Sequence, residues 1–412
     1  MFLRSLIAAI LSLAVTSAVA VELTVAHSHP SLFKSVHEDI AKRFMAQNPD
    51  ITIKLRATAE NYETLTQDLL RDSISGSMPD VFFQGFDRLR VFADRSLIVP
   101  LAPMMKPDQG WKADSYSSSA LDLGKVGETQ YGIPFAMSSQ IVYYNAELVR
   151  KAGYDPDKFP KSWPEILEIA GKIQDLGGST VGLNAELDGF GWQSLVFAQG
   201  GRMLTPDEKE VAFDGAEGRA AMKILHDMGK IAKMPAMSPA QGRQAFVAGT
   251  LGIYVGSIAW VGVIQRDVGK RVDVRTALYP MTTDKGHLPT GGNAAVIATK
   301  DAEKQKAAWK YIQFVTGALG STIMVRSTGY IPANQDALKD PALLGKFYEE
   351  NPLQRPGIRQ LPIMIGWYAF PGANGLKIST VIVDAMQEVY TLRQEPDAAL
   401  KKLADDVRKL LK

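Results

Sequence analysis

The sequence predicts an α/β protein built as two units, each a central sheet flanked by helices. Short apolar strands alternate with amphipathic helices from residue 22 onward, the pattern of a sheet with helices on both faces. A chain of 412 residues usually divides into two units of ~100–200 residues each. The pattern runs to the end, closing on a helix with Leu400, Leu403, Val407 and Leu411, with no repeat or low-complexity segment on the way.

Residues 1–20 read as a signal peptide. Arg4 supplies the positive start, Leu6 to Val15 is almost wholly apolar, and Ala18-Val19-Ala20 is a small-x-small cleavage site. Glu22 to Ala26 is the first strand, and Pro30 opens a helix with Leu32, Val36, Ile40 and Phe44 at four-residue spacing. Ile51 to Leu55 alternates with period two. A second helix carries Leu65, Leu69 and Ile74, and Pro79 to Phe83 is a buried strand, which together predict a parallel sheet. Ligands of such sheets bind beyond the carboxyl ends of the strands.

Tyr131 to Phe135 is the strand that first crosses into the other unit. Tyr143-Tyr144-Asn145 is a strand, a short helix stops at Gly153, and Ser162 with Glu165 forms a capping box that opens the next helix. After Ala277 to Pro280 the chain is expected to return. Gly291-Gly292-Asn293 then turns into a strand, Trp309, Ile312 and Val315 line a helix, and Gly329 to Pro332 crosses again.

A formal net charge of +2 offers no basic stripe for nucleic acid and no polybasic patch for a membrane. The chain has no cysteine, which excludes disulfides, thiolate metal sites and a lipid-modified cysteine anchor. A freely diffusing periplasmic protein, monomeric and without cofactor, is the expectation.

The order Tyr143-Tyr144-Asn145, Phe246-x-x-Gly249, Leu251 to Tyr254, Gly256-Ser257, Gly291-Gly292-Asn293 and Thr328 to Pro332 resembles the extracellular solute-binding proteins of ABC sugar importers, the maltose-binding-like group. The resemblance spans the whole mature chain. It implies a two-lobed periplasmic-binding-protein fold with a multi-segment hinge. Lobe one is expected at 21–137 plus 280–326 and lobe two at 138–279 plus 327–412. A small carbohydrate or polyol would be the ligand and an ABC permease in the inner membrane the partner.

Within that group the chain is most similar to the glycerol-3-phosphate-binding subgroup. The likeness implies a pocket of Tyr62, Ser138, Trp192, Ser257, Gly292 and Tyr330. Two departures stand out. Where the subgroup carries an acid this chain has Phe86, with Asp87 one place on. Where the subgroup carries a phosphate-binding arginine it reads Pro371-Gly372-Ala373-Asn374, with only Lys377 close by. Without the guanidinium fork, a neutral sugar or glycoside fits better than a phosphate. A glycerol-3-phosphate, glycerophosphodiester or sugar-acid receptor is the alternative.

Sugars bind against flat aromatic faces and planar polar side chains. Trp260 and Trp367 join Trp192 and Tyr330 as candidate faces, with ordinary core positions as the competing reading; Trp163 and Trp309 belong to core faces. His29 in His27-Ser28-His29 follows the first strand and is expected to line the pocket, with a satisfied surface loop as the competing reading; no further ligand stands near enough for a metal pair. Asp87 could bind hydroxyls or simply open a helix. Ser138 and Ser139 lie at the first crossover, and Asn293 sits in a turn able to present polar groups. A secreted glycosidase is the rival from another class. It needs two carboxylates across one cleft, for which Glu60, Glu63, Asp80, Asp87, Glu186 and Asp188 are available. No nucleophile elbow, zinc-protease motif or phosphate loop is present.

Overall fold

A computed structural model of the protein describes residues 20–106, 110–372 and 374–411; the expected signal peptide lies almost wholly outside the described residues. Among the described residues the strands are β1 (Val21–Ala26), β2 (Ile51–Leu55), β3 (Val81–Gly85), β4 (Lys125–Val126), β5 (Thr129–Gln130), β6 (Gly132–Ser138), β7 (Gln140–Asn145), β8 (Val181–Ala185), β9 (Leu251–Ser257), β10 (Val274–Ala277), β11 (Leu288–Ile297), β12 (Ile331–Pro332) and β13 (Met364–Gly366).

Seven strands form the larger sheet, ordered β12-β6-β11-β3-β1-β2, with β13 beside the start of β11. The smaller sheet is ordered β10-β7-β9-β8. The expected parallel pairing holds for β1, β2 and β3, and recurs where β13 lies beside β11 and β8 beside β9. β11 enters antiparallel to both β3 and β6, because it returns from the other unit rather than through a local crossover helix.

The apolar spacing read from the sequence buries as expected in the first helix, Pro30–Gln47, where Leu32, Phe33, Val36, Ile40 and Phe44 are buried against the larger sheet. Burying each such side chain contributes about 1.5–3 kcal/mol. In β7 alternate residues feed opposite faces: Val142 and Tyr144 join one core of the smaller unit, Ile141 and Tyr143 another. The tyrosine pair is therefore architectural. Tyr143 donates its hydroxyl proton to the Ser257 carbonyl at 2.7 Å and Tyr144 to the Pro156 carbonyl at 3.0 Å.

Three expectations need correction. Ser162 does not cap its helix; its hydroxyl bonds the Glu165 carboxylate directly, and a capping box forms instead at Ser238 and Gln241. Ile74 lies exposed, outside the apolar face it was expected to join. The stretch after residue 327 does not all join lobe two. β12 hydrogen-bonds to β6, and Ala333, Ala337, Leu344 and Phe347 lie in the core of the larger unit. The chain reaches the smaller unit later, where β13 gives way to Phe370 in its core. β6 passes into β7 through the single residue Ser139, and β11 has Leu288 in the smaller unit's core and Ala294 to Ile297 in the larger's.

Candidate functional site

Side chains from both units meet where β3, β6 and β9 end. On the larger unit's side, His29 sits at the mouth of β1 in a left-handed conformation (φ 56°), which turns its ring outward. That ring lies 4.5 Å from the Tyr62 ring and 6.5 Å from the Trp260 ring. Its neighbour His27 turns inward instead, 4.3 Å from the buried His37 ring. The pair therefore points apart, and among the described residues no cluster of three His, Cys, Asp or Glu is placed to hold a metal.

Tyr62 begins the helix Tyr62–Ser75, which Asn61 caps by accepting from Thr64 N at 2.9 Å. Its hydroxyl accepts from Asn293 Nδ2 at 3.0 Å. Burial pushes the Tyr62 phenol up to about 12, so it stays protonated. Asp87 lies in the short turn after β3. Arg88 beside it pairs with both Asp87 (3.0 Å) and Glu63 (2.8 Å). Burial raises the Asp87 carboxyl above its usual value despite that guanidinium.

On the smaller unit's side, Glu186 follows β8 and is buried. It accepts from Arg243 at 2.6 Å, from the Ser257 backbone N–H at 3.0 Å, and from the Tyr254 hydroxyl. Arg243, so fixed, lies 3.8 Å over the Trp260 ring. Asp188 caps the helix Gly189–Ala198 through Gly191 N at 2.9 Å, yet it remains exposed to solvent. Crowding by protein, then the Glu186 charge, pushes its carboxyl up to about 6; Asp87 across the gap adds to this. His29 is likewise held down to about 4 by burial and then by Arg243 on the opposite unit, and is neutral at pH 7.

The expected residues divide. His29, Tyr62, Asp87, Trp260 and Asn293 converge, and Trp367 packs 5.0 Å from Phe190 at the adjoining wall. Tyr330 is 4% exposed, stacked on Phe33 behind Tyr62 rather than facing the gap. Trp192 does not reach the cleft. It is wholly buried in the smaller unit's core, edge-on to Phe213, because its helix is buried on every side. Ser139 is also buried, accepting from Gln360 Nε2 at 2.6 Å inside the crossover. Ser257 caps the following turn, its hydroxyl oxygen accepting from Ala259 N at 3.2 Å. Ser138 is buried beside Gly291. Gly292 serves the backbone: at φ 118° any Cβ would lie 1.9 Å from the Ala136 carbonyl oxygen. Glu186 and Asp188 stand out in the sequence only as carboxylates for a glycosidase, and nothing local marks Arg243 or Phe190.

A second contact bridges the units at one end of the cleft. Arg90, in the helix Leu89–Ala93 of the larger unit, donates from both terminal nitrogens to Glu208 at 2.9 Å each. Glu208 stands at the tip of a turn in the smaller unit with φ 58°, and the Tyr368 hydroxyl also donates to it at 3.0 Å. Asp87, Arg88, Arg90, Asp94, Arg95 and Tyr368 are among the residues lining the hollow between. A wider depression of about 610 Å³ on the larger unit, lined by Met105, Trp111, Asp114 and Lys339, takes nothing from the smaller unit.

Two α/β units joined by several crossings, with polar and aromatic groups converging from both, define a two-lobed solute receptor. The family pattern for bacterial extracellular solute-binding proteins matches residues 39–354, and the chain belongs to that family, the solute-binding components of ABC transporters. Among curated relatives, the sn-glycerol-3-phosphate-binding periplasmic protein UgpB of Escherichia coli (strain K12) is 24% identical over 403 residues, covering 91% of this chain and 89% of the relative. The fold is shared with UgpB of Mycobacterium tuberculosis, solved in complex with glycerophosphocholine (TM-score 0.84, 21% identity, 94% of this chain and 98% of that one). It is also shared with an ABC transporter solute-binding protein of Thermotoga lettingae TMO bound with α-D-tagatose (TM-score 0.82, 22% identity, 95% and 100%). Among the described residues no helix is long and apolar enough to cross a membrane.

Proposed function

We propose that the protein is a periplasmic receptor that closes on one small polyhydroxylated ligand, a sugar or glycoside, and delivers it to an ABC permease. One observation carries the choice of ligand. Both inner arginines are already engaged, Arg88 by Asp87 and Glu63 and Arg243 by Glu186, while Asp188 keeps solvent contact. A cleft with its guanidinium groups spoken for and carboxylates to spare takes hydroxyl donors rather than phosphate oxygens. The Tyr62, Trp260 and Trp367 rings supply faces for the apolar side of a sugar ring. This favours a sugar over the glycerol-phosphate esters named for the relatives.

The test is calorimetric titration of the purified chain with mono- and disaccharides, glycosides, polyols and glycerol phosphates. Saturable binding of a sugar or polyol, with glycerol phosphates at least tenfold weaker, is the expected result. Phosphate esters binding more tightly would overturn the reading. The same bound sugar incubated with the protein is expected to be recovered unchanged; a hydrolysis product would make the cleft carboxylates catalytic.

A further inference from the structure

The hydrogen-bonding capacity of the cleft is lopsided, and the imbalance centres on Gly85. A Cβ at Gly85 would lie 2.9 Å from Asp87 Oδ1 and 3.1 Å from the Tyr62 ring, so both side chains close over that glycine. Asn293 stands opposite Gly85 in the ladder between β11 and β3. It is 1% exposed, gives its Nδ2 to the Tyr62 hydroxyl, and leaves its Oδ1 buried with no hydrogen-bond partner. Asp87, with a side chain 10% exposed, leaves its Oδ1 in the same condition. Two bare acceptors thus flank Tyr62, against one donor without a hydrogen bond, Arg88 Nε, which lies 3.0 Å from Asp87 Oδ2 in the ion pair. Natural structures pair such groups, so a bare pair marks where a donor belongs.

Charge tells the same story. Glu63, Asp87, Glu186 and Asp188 outnumber Arg88 and Arg243, and neutral His29 adds nothing. Farther out, Arg90 is tied to Glu208, and Asp94 and Arg95 stand beside it on the rim. The walls are π faces, which attract cations.

We propose that this end of the cleft recognises a protonated amine on the ligand, making the ligand an amino sugar or amino polyol. An ammonium group brings three donors and a positive charge, where a hydroxyl brings one donor and none. The first meets both bare oxygens and offsets the surplus of acids. This inference rests on the polyhydroxylated-ligand reading above and narrows it.

The experiment compares matched pairs by calorimetry in low salt at pH 7: glucose against glucosamine, sorbitol against glucamine, with ethanolamine as an amine lacking a polyol body. Glucosamine and glucamine are expected to bind at least tenfold more tightly than their neutral partners, with the ratio shrinking in 0.5 M salt. Asp87→Asn and Asp188→Asn, each checked for an intact melting transition, are expected to reduce the ratio severalfold; Asn also caps helices well, so the second change keeps the helix start. Equal binding within each pair, or ratios unmoved in both variants, overturns the amine site while leaving a sugar receptor standing. Binding of ethanolamine with no neutral sugar bound upholds the amine site and overturns the sugar reading. Failure of every probe overturns both.

Discussion

Trp192 and Trp260 carry the same indole and do different work. Trp192 is sealed in a core, so Trp192→Ala should cost about 3–5 kcal/mol of stability. Trp260 is half-buried under Arg243, so Trp260→Ala should weaken ligand binding by more than ~1 kcal/mol and move the melting temperature less. Melting curves and titrations on both variants check this; a Trp260→Ala protein with undiminished affinity would remove that ring from the site. His37 gives a second residue-scale prediction. It is fully buried among Phe83, Phe135 and His27 with neither ring nitrogen bonded, and burial, then the neighbouring His27, hold it well below its usual 6.5. The folded protein keeps it neutral while the unfolded chain takes up a proton below 6.5. Its contribution to stability is therefore complete above that pH and lost as the pH falls below it. Urea midpoints from pH 8 to 5 should decline more steeply for the wild type than for His37→Phe. The sequence announces aromatic residues but not their depth. That is why Trp192, expected at the cleft, lies in a core, while the short spacing of Asp87 from the end of β3 was enough to place it at a strand's mouth.

At the scale of elements, partners distant in the chain matter most and read least. Arg90 and Glu208 are 118 positions apart, and neither local pattern hints at the other. Their bond joins a helix of one unit to a turn of the other, so any opening of the cleft at this end would have to break it. Each side chain is about a third exposed, which limits the pair to about 1 kcal/mol, with the paired nitrogens and Tyr368 placing it at the upper end. Glu208→Gln or Arg90→Ala should then speed ligand release roughly fivefold in stopped-flow measurements at low salt, with the gap narrowing as salt rises. Release rates identical to wild type at low salt would deny the pair a part in closure. The capping rule met a similar limit. Ser162 and Glu165 have the right spacing but bond each other, while Ser238 and Gln241 complete the reciprocal pair.

At the scale of the molecule, the alternation of strands and helices was readable and the sheet directions were not. Period-two and period-3.6 patterns report burial on a face, and a strand reads the same whichever way it runs. Hence a strand is legible only after Gly291-Gly292-Asn293, expected as a turn but in fact part of β11, and nothing there signals that it runs against both neighbours. Its placement also governs when the protein can fold. β11 lies between β6 and β3 in the larger sheet, yet it follows the whole smaller sheet in the chain. Until residue 297 is made, β3 and β6 have no common neighbour and the first core stays open, so closure waits on a contact of high sequence separation. A fragment of residues 21–200 should accordingly show no cooperative urea transition by circular dichroism, and one appearing would mean that β11 is dispensable. For a family that binds solutes outside the cell, a strand that arrives late leaves the preceding residues without a closed core for as long as the chain is still being made.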